Sequence, residues 1–176
     1  MRAFVAVDVP AVVVDGSSTG SDAQPAHITL QFLGDTPDSQ VGEVSQAIAR
    51  VAAETAPIDV DIQGVGAFPT PQRPRVVWVG VGRGSQRLVD LALRVGVSLT
   101  ALGFPPGSRA FLPHVTLFRI RSPSDAQRAR ALLAGPPTGP LASGVIQELL
   151  LKESHLASGG TTHRVVARST LRGPKP

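Results

Sequence analysis

The 176-residue chain has no cysteine and no tyrosine, a single tryptophan and a single methionine, and only two lysines, Lys152 and Lys175. The missing cysteine removes disulfides, zinc–thiolate sites and thiol nucleophiles together, and it gives no support for secretion. The missing tyrosine leaves nothing but lysine and arginine on the basic side, so a pI near 10.9 exaggerates a net charge of only +4. Long apolar runs are missing too. The opening stretch Met1–Asp8 is broken too soon for a signal peptide or a membrane span. The expected location is the cytoplasm, with no membrane partner. At 42% hydrophobic and 17% charged residues, the chain has the composition of a globular protein with one substantial core.

With so little lysine, the positive charge sits on arginine, and it clusters: Arg73 and Arg75; Arg109, Arg119 and Arg121; Arg128 and Arg130. A guanidinium offers phosphate a rigid fork of donors. The middle cluster brackets one copy of a repeated tetrapeptide. His27-Ile28-Thr29-Leu30 and His114-Val115-Thr116-Leu117 both read His-x-Thr with apolar residues around the threonine. Such residues favour a strand, and on a strand i and i+2 share a face. Each copy therefore points an imidazole and a hydroxyl into the same space.

The surroundings repeat as well. Thr36-Pro37-Asp38 follows the first motif and Ser122-Pro123-Ser124-Asp125 the second. Both read as a cap, a proline at the first helical position and an acidic first turn. A helix and two strands are predicted after each: Ile58 to Phe68 and Arg75 to Val81 in the first half, Val145 to Leu151 and Arg164 to Leu171 in the second. Met1 to Asp8 adds a strand in front, and Val14 to Pro25 reads as a loop. Leu88 to Leu102 reads as a helix joining the halves, with Gly103 as its stop. The expectation is one α+β domain over residues 1–176, built as two pseudo-symmetric lobes with antiparallel sheets around a central cleft and helices outside. The second repeat starts near residue 111. The chain is expected to be a monomer.

A lone histidine on an apolar strand is more often a hydrogen-bonded structural residue than a catalyst. Two in the same tetrapeptide at matching places of a repeat argue the other way. Phosphodiester chemistry needs a base for the nucleophile and an acid for the leaving oxygen, and histidine can serve as either near neutral pH. The threonine hydroxyls can donate to phosphoryl oxygens. Neither motif contains a carboxylate, so no metal and no cofactor is expected, even with His155 and His163 counted. These two histidines are read as lying outside the pair. Gly80-Val81-Gly82-Arg83-Gly84 lacks the spacing and lysine of a phosphate loop and reads as a turn. Trp78, in an apolar strand, reads as core rather than as a base-stacking platform. Gripping phosphate without turnover remains open on these residues: the chain is either an enzyme acting on a phosphodiester or a phosphate-binding module.

The sequence resembles the two-histidine phosphoesterases, and among them the RNA 2′,3′-cyclic phosphodiesterases, also called 2′-5′ RNA ligases. The likeness runs through Met1–Asp8, His27–Gly34, Gly66–Pro69, Arg73–Gly80, Gly103-Phe104 and Pro113–Arg119. It implies that His27 and His114 are the acid–base pair and that Thr29 and Thr116 hold the phosphate. Arg119 matches a basic position of the family. In a regular strand 114, 116 and 118 share a face, so Arg119 reaches the cleft only through a twist or bulge. The implied substrates are RNA with 2′,3′-cyclic phosphate ends or cyclic nucleotides. The implied reaction opens the cyclic phosphate to a 2′-phosphate, and an RNA 5′-hydroxyl in place of water makes a 2′-5′ linkage; a module that binds RNA ends or nucleotides without turnover is the non-enzymatic alternative. Another cyclic phosphate or a 2′-5′ oligonucleotide is the alternative within the superfamily.

The chain departs from the family pattern in three places. Only 18 residues separate Asp8 from His27 (27 − 8 − 1), where relatives usually have a full helix. Gln31 stands where a basic residue is frequent. Gly160-Thr161-Thr162-His163 stands where a glycine and an aromatic residue are common. All three bear on substrate preference.

Overall fold

The computed structural model describes residues 1–20, 24–157 and 160–174. Two four-stranded antiparallel sheets face each other across a cleft, with helices on their outer sides. The first sheet runs β4 (His27–Asp35), β1 (Arg2–Asp8), β9 (Glu148–Ala157), β10 (Gly160–Thr170), from motif edge to far edge. The second runs β7 (His114–Arg119), β6 (Arg73–Val81), β5 (Ile58–Thr70), β8 (Pro140–Ile146). Each motif strand is thus the edge strand of its sheet, and β4 and β7 approach one another at the cleft.

Helices α1 (Asp38–Ala53) and α2 (Ser85–Thr100) pack on each other and on the first sheet, and α3 (Pro123–Ala134) packs on β5 and β6. Val44, Ile48 and Val51 of α1 and Leu88, Leu91, Val95 and Leu99 of α2 are buried. These are the helical spacings read from the sequence, and burying such stripes against a sheet is what stabilises helices of this length. Across the strands the buried set includes Val5, Val7 and Ile28 in one sheet and Val77, Val79 and Val115 in the other. Among the described residues no helix is long and apolar enough to cross a membrane.

The α+β reading with two pseudo-symmetric sheets agrees with the structure. The division of strands between lobes does not follow the repeat. After α1 the chain crosses over, and β5 and β6 join the second motif strand. The strands β9 and β10 of the second half return to the first. Val145 to Leu151, read as one strand, breaks at Gln147 into β8 and β9, which belong to different sheets. The break is hidden in the sequence because both pieces bury apolar residues, Ile146 on one side and Leu149 to Leu151 on the other.

Smaller differences lie at the ends of elements. Ser122 caps α3 as expected: its Oγ accepts from the Asp125 N–H at 3.1 Å, while the Asp125 carboxylate accepts from the Ser122 N–H at 3.0 Å. Thr36 does not cap α1. Pro37 takes the cap position, and Thr36 is buried, donating to the Gly34 carbonyl at 3.3 Å. The Gly80–Gly84 segment ends β6 and turns into α2, in keeping with its glycines. Gly84 sits at φ +83°, and a Cβ there would meet the Asp59 carbonyl.

The segment expected to be loop between β1 and the first motif contains a small hairpin, β2 (Val13–Val14) and β3 (Ser17–Ser18). Ser21, Asp22 and Ala23 of that expected loop lie outside the described residues. Arg128 of α3 ties the hairpin turn down, donating to the Asp15 carboxylate at 3.1 Å and the Val14 carbonyl at 3.2 Å. Among the described residues of this segment there is no helix. Instead the Gln24 side-chain amide pairs with the backbone of His163 on β10, accepting from its N–H at 2.9 Å and donating to its carbonyl at 3.4 Å.

Candidate active site

Both motif strands carry a bulge at the same place. Along β4, Thr29 pairs with Ala6 and Gln31 with Val5, so Leu30 is the extra residue. Along β7, Thr116 pairs with Trp78 and Phe118 with Val77, so Leu117 is the extra residue. A bulge reverses the alternation of faces beyond it. The consequence is visible in burial: Leu30 and Gln31 both face inward, and Phe32 emerges 76% exposed. Leu117 is buried, Phe118 packs partly against the core, and Arg119 is exposed. The bulge that Arg119 required is therefore present.

The resulting cleft has a volume of about 410 Å³, and its lining includes His27, Thr29, Phe32, Thr116, Arg119, Arg2 and His163. His114 is not part of that lining. It stands two residues before Thr116 on the same face, at the start of β7. The structure thus gathers four of the five residues singled out from the sequence around one cavity, and the fifth, His114, shares a strand face with one of them, Thr116. The hydroxyls of Thr29 and Thr116 and the guanidinium of Arg119 have no partner among the described residues, which leaves donors free for a ligand.

The two imidazoles are held alike. His27 Nδ1 lies 3.4 Å from the Pro25 carbonyl and His114 Nδ1 lies 2.7 Å from the Leu112 carbonyl, each two residues back along the chain. A carbonyl can only accept, so each Nδ1 carries the proton and each Nε2 is left for chemistry. Burial pushes His27 down to about 4, with the Lys152 ammonium acting in the same direction. Burial also lowers His114, while the Leu112 carbonyl resists the shift. Lys152 is itself buried, at 3% exposure, and is paired with Asp8 beside the first motif.

Rings support both histidines from below. Phe4, on β1, has its centroid 5.4 Å from that of His27. Trp78, on β6, lies 6.0 Å from His114, and Phe68, on β5, lies 4.8 Å from it. Trp78 is therefore neither part of the main core nor a wall of the cleft but a shelf for His114. Gly66 makes room for it, since a Cβ there would run into the indole.

Other sequence expectations are settled by orientation. Gln31 is turned inward by the bulge and donates to the Phe104 carbonyl at 2.9 Å and the Pro105 carbonyl at 3.2 Å. It anchors the segment after α2 and does not face the cleft. His155 pairs with Glu153 at 3.0 Å, on the surface and away from the cleft lining. His163, read as lying outside the site, is in it: its ring meets that of His27 edge-on, with centroids 4.9 Å apart. The β9–β10 pairing that brings it there joins residues far from the motif in sequence, so spacing gave no signal. Phe32 and Lys152 were also missed. Phe32 could have been found by carrying the Arg119 spacing over to the first motif. Among the described residues no group of three or more His, Asp or Glu side chains is arranged to hold a metal ion.

Two antiparallel sheets that present a His-x-Thr strand each, edge to edge over one cleft, define a two-histidine phosphoesterase. Within that class the sequence model of the 2′-5′ RNA ligase superfamily matches residues 16–143, and the chain belongs to that superfamily of enzymes. It is 35% identical over 153 residues to the RNA 2′,3′-cyclic phosphodiesterase of Aquifex aeolicus, covering 86% of this chain and 81% of that one. It is 35% identical over 140 residues to the protein of the same name from Aeropyrum pernix, covering 80% and 78%. Among solved structures, a protein of Thermus thermophilus superposes with a TM-score of 0.74 at 23% identity, covering 99% of this chain and all of that one. Escherichia coli LigT complexed with 3′-AMP gives a TM-score of 0.69 at 23% identity, covering 97% of each. At these identities the two structures speak for the fold.

Proposed function

We propose that this protein opens 2′,3′-cyclic phosphate ends of RNA to 2′-phosphates by acid–base catalysis between His27 and His114, as a monomer in the cytoplasm. The observation that carries the reading is the matched pair of imidazoles. Each has Nδ1 committed to a backbone carbonyl, and among the described residues the threonine hydroxyls and the Arg119 guanidinium have no partner.

His27 serves as the base. Burial and Lys152 hold it neutral, so its Nε2 can accept a proton. His114 serves as the acid: burial lowers it too, but the 2.7 Å bond to the Leu112 carbonyl opposes that shift, and among the described residues no cation such as the Lys152 beside His27 adds to it. Water attacks phosphorus and passes a proton to His27. The bond from phosphorus to the 3′-oxygen breaks, and His114 protonates that oxygen. Solvent then returns the pair to its starting state. Thr29, Thr116 and Arg119 donate to the non-bridging oxygens as charge accumulates there. With an RNA 5′-hydroxyl in place of water the same steps give a 2′-5′ linkage. Phe32, exposed on the cleft wall, offers a face to the terminal base.

The test is to incubate the protein with an RNA ending in a 2′,3′-cyclic phosphate and assign the product by phosphorus NMR. A 2′-phosphate is expected. A 3′-phosphate would reverse the orientation in the cleft, and binding without turnover would leave a phosphate-binding module.

A further inference from the structure

Each motif histidine rests on two rings, and only one of the four is titratable: Phe4 and His163 lie against His27, Trp78 and Phe68 against His114. His114 meets Phe68 edge-on, with centroids 4.8 Å apart and planes at 82°. His27 meets His163 edge-on, at 4.9 Å and 83°. Phe4 and Trp78 complete the match, each on the strand next to its motif strand. His163 thus holds the place on the first sheet that a phenyl ring holds on the second. A phenyl could make the same edge-on ring contact but not the bond to Ser154. What the imidazole adds is a place for a proton.

We infer that His163 is a positioning residue for His27, taking up a proton before His27 does and so keeping His27 ready to accept one as the pH falls. The inference rests on His27 being the base in the reaction proposed above.

The geometry supports it in three ways. First, the ring is fixed in place. The Gln24 amide bonds the His163 backbone on both sides, and Ser154 Oγ lies 3.3 Å from Nδ1. Second, two imidazolium rings at this separation repel, so the pair resists holding two protons at once. Third, His27 is the more deeply buried of the two, which makes its protonated form the costlier to solvate.

The charges around the pair bear on both rings. Lys152, on β9, faces them and disfavours a proton on each, and Asp8, on β1, neutralises part of that effect on His27. Arg2, on β1, and Arg119, on β7, line the same cleft. Glu153 is engaged by Arg164 and His155. Burial lowers His163 first and Lys152 second, and a charge on His163 is among the causes that depress His27.

The experiment is a proton-NMR titration of the histidine ring protons in the whole protein, with and without H163F, paired with the pH profile of kcat/KM on a 2′,3′-cyclic nucleotide. H163F copies the Phe68 arrangement. H163Q, which keeps a polar group toward Ser154, serves if the phenylalanine variant does not fold. In the unsubstituted protein His163 should titrate at the higher pH. In the variant the His27 midpoint should move up by several tenths of a pH unit, and the acid limb of the profile should move up with it. A His27 midpoint that is unchanged in the variant, or that precedes His163 in the parent, overturns the inference. Coupled titration in a protein that does not open cyclic phosphates would overturn the proposed reaction and leave the coupling standing.

Discussion

Phe32 and Arg119 occupy equivalent positions on the two motif strands, each five residues beyond its histidine and each turned into the cleft by a bulge at the third. One sheet thus offers the substrate an aromatic face and the other a cation. This division suits a nucleotide, which has a base to stack and a phosphate to grip.

Arg119→Ala should lower kcat/KM on a cyclic nucleotide by roughly 10- to 100-fold, corresponding to one charge-assisted hydrogen bond of about 1.5–3 kcal/mol. Phe32→Ala should raise KM by about 10-fold, from a stacking contribution of about 1–3 kcal/mol per base. A ribose 2′,3′-cyclic phosphate without a base separates the two. It should be as sensitive to Arg119→Ala as the nucleotide and indifferent to Phe32→Ala. Equal sensitivity to both substitutions would mean that Phe32 only shapes the cleft.

The histidine pair should behave as a unit. His27→Ala and His114→Ala should each cost on the order of 10²-fold or more in kcat/KM, and the double variant should be little worse than either. Thr29→Ala and Thr116→Ala should be milder, about 1.5–3 kcal/mol each. His155→Ala is the control, because its ring pairs with Glu153 on the surface. The profile of kcat/KM against pH should be bell-shaped, with limbs that belong to the coupled pair. A His155→Ala variant as impaired as His27→Ala, with normal folding, would mean that the repeat identified the wrong pair.

The motif pair and its strand context were legible in the sequence because strand periodicity is local. His27 and Thr29 share a face whatever the rest of the chain does. The helical stripes of α1 and α2 were legible for the same reason. The crossover of strands between sheets was not, since either half of the repeat offers apolar strands that fit either sheet. The bulges were only half legible: Arg119 required one, but Leu30-Gln31 and Leu117-Phe118 give no local sign of it, because a buried glutamine breaks the apolar pattern on one strand. His163 and Lys152 reach His27 through the pairing of β9 with β1 and β10, a long-range register that composition does not encode.

Activity should survive chelation. The proposed steps move protons between two imidazoles and use hydroxyl and guanidinium donors on the phosphate, so none of them draws on a metal ion. Assays with and without excess EDTA, after exhaustive dialysis, should give the same kcat/KM. Loss of activity on chelation, restored by one divalent ion, would replace this mechanism with a metal-assisted one.

The same buried imidazoles should make stability depend on pH in a definite direction. His27 titrates near 4 in the folded protein, against an ordinary value of 6.5, and burial lowers His114 and His163 as well. Below about pH 6.5 the unfolded chain binds protons that the folded chain refuses. Stability therefore rises with pH through this window, because the unfolded state holds more protons. The contribution is fully present above 6.5 and is lost as the pH falls toward 4. One such group changes stability by at most about 1.4 kcal/mol per pH unit. The lowered carboxylates of Asp61, Asp125 and Glu153 act with the same sign at lower pH. Thermal unfolding should give a lower Tm at pH 5 than at pH 7, and His27→Phe, which keeps a ring against Phe4 and His163, should flatten the difference. A Tm that rises on acidification across this range would mean that the folded protein binds protons more readily than the unfolded chain, and the buried, neutral His27 on which the mechanism depends would have to be abandoned.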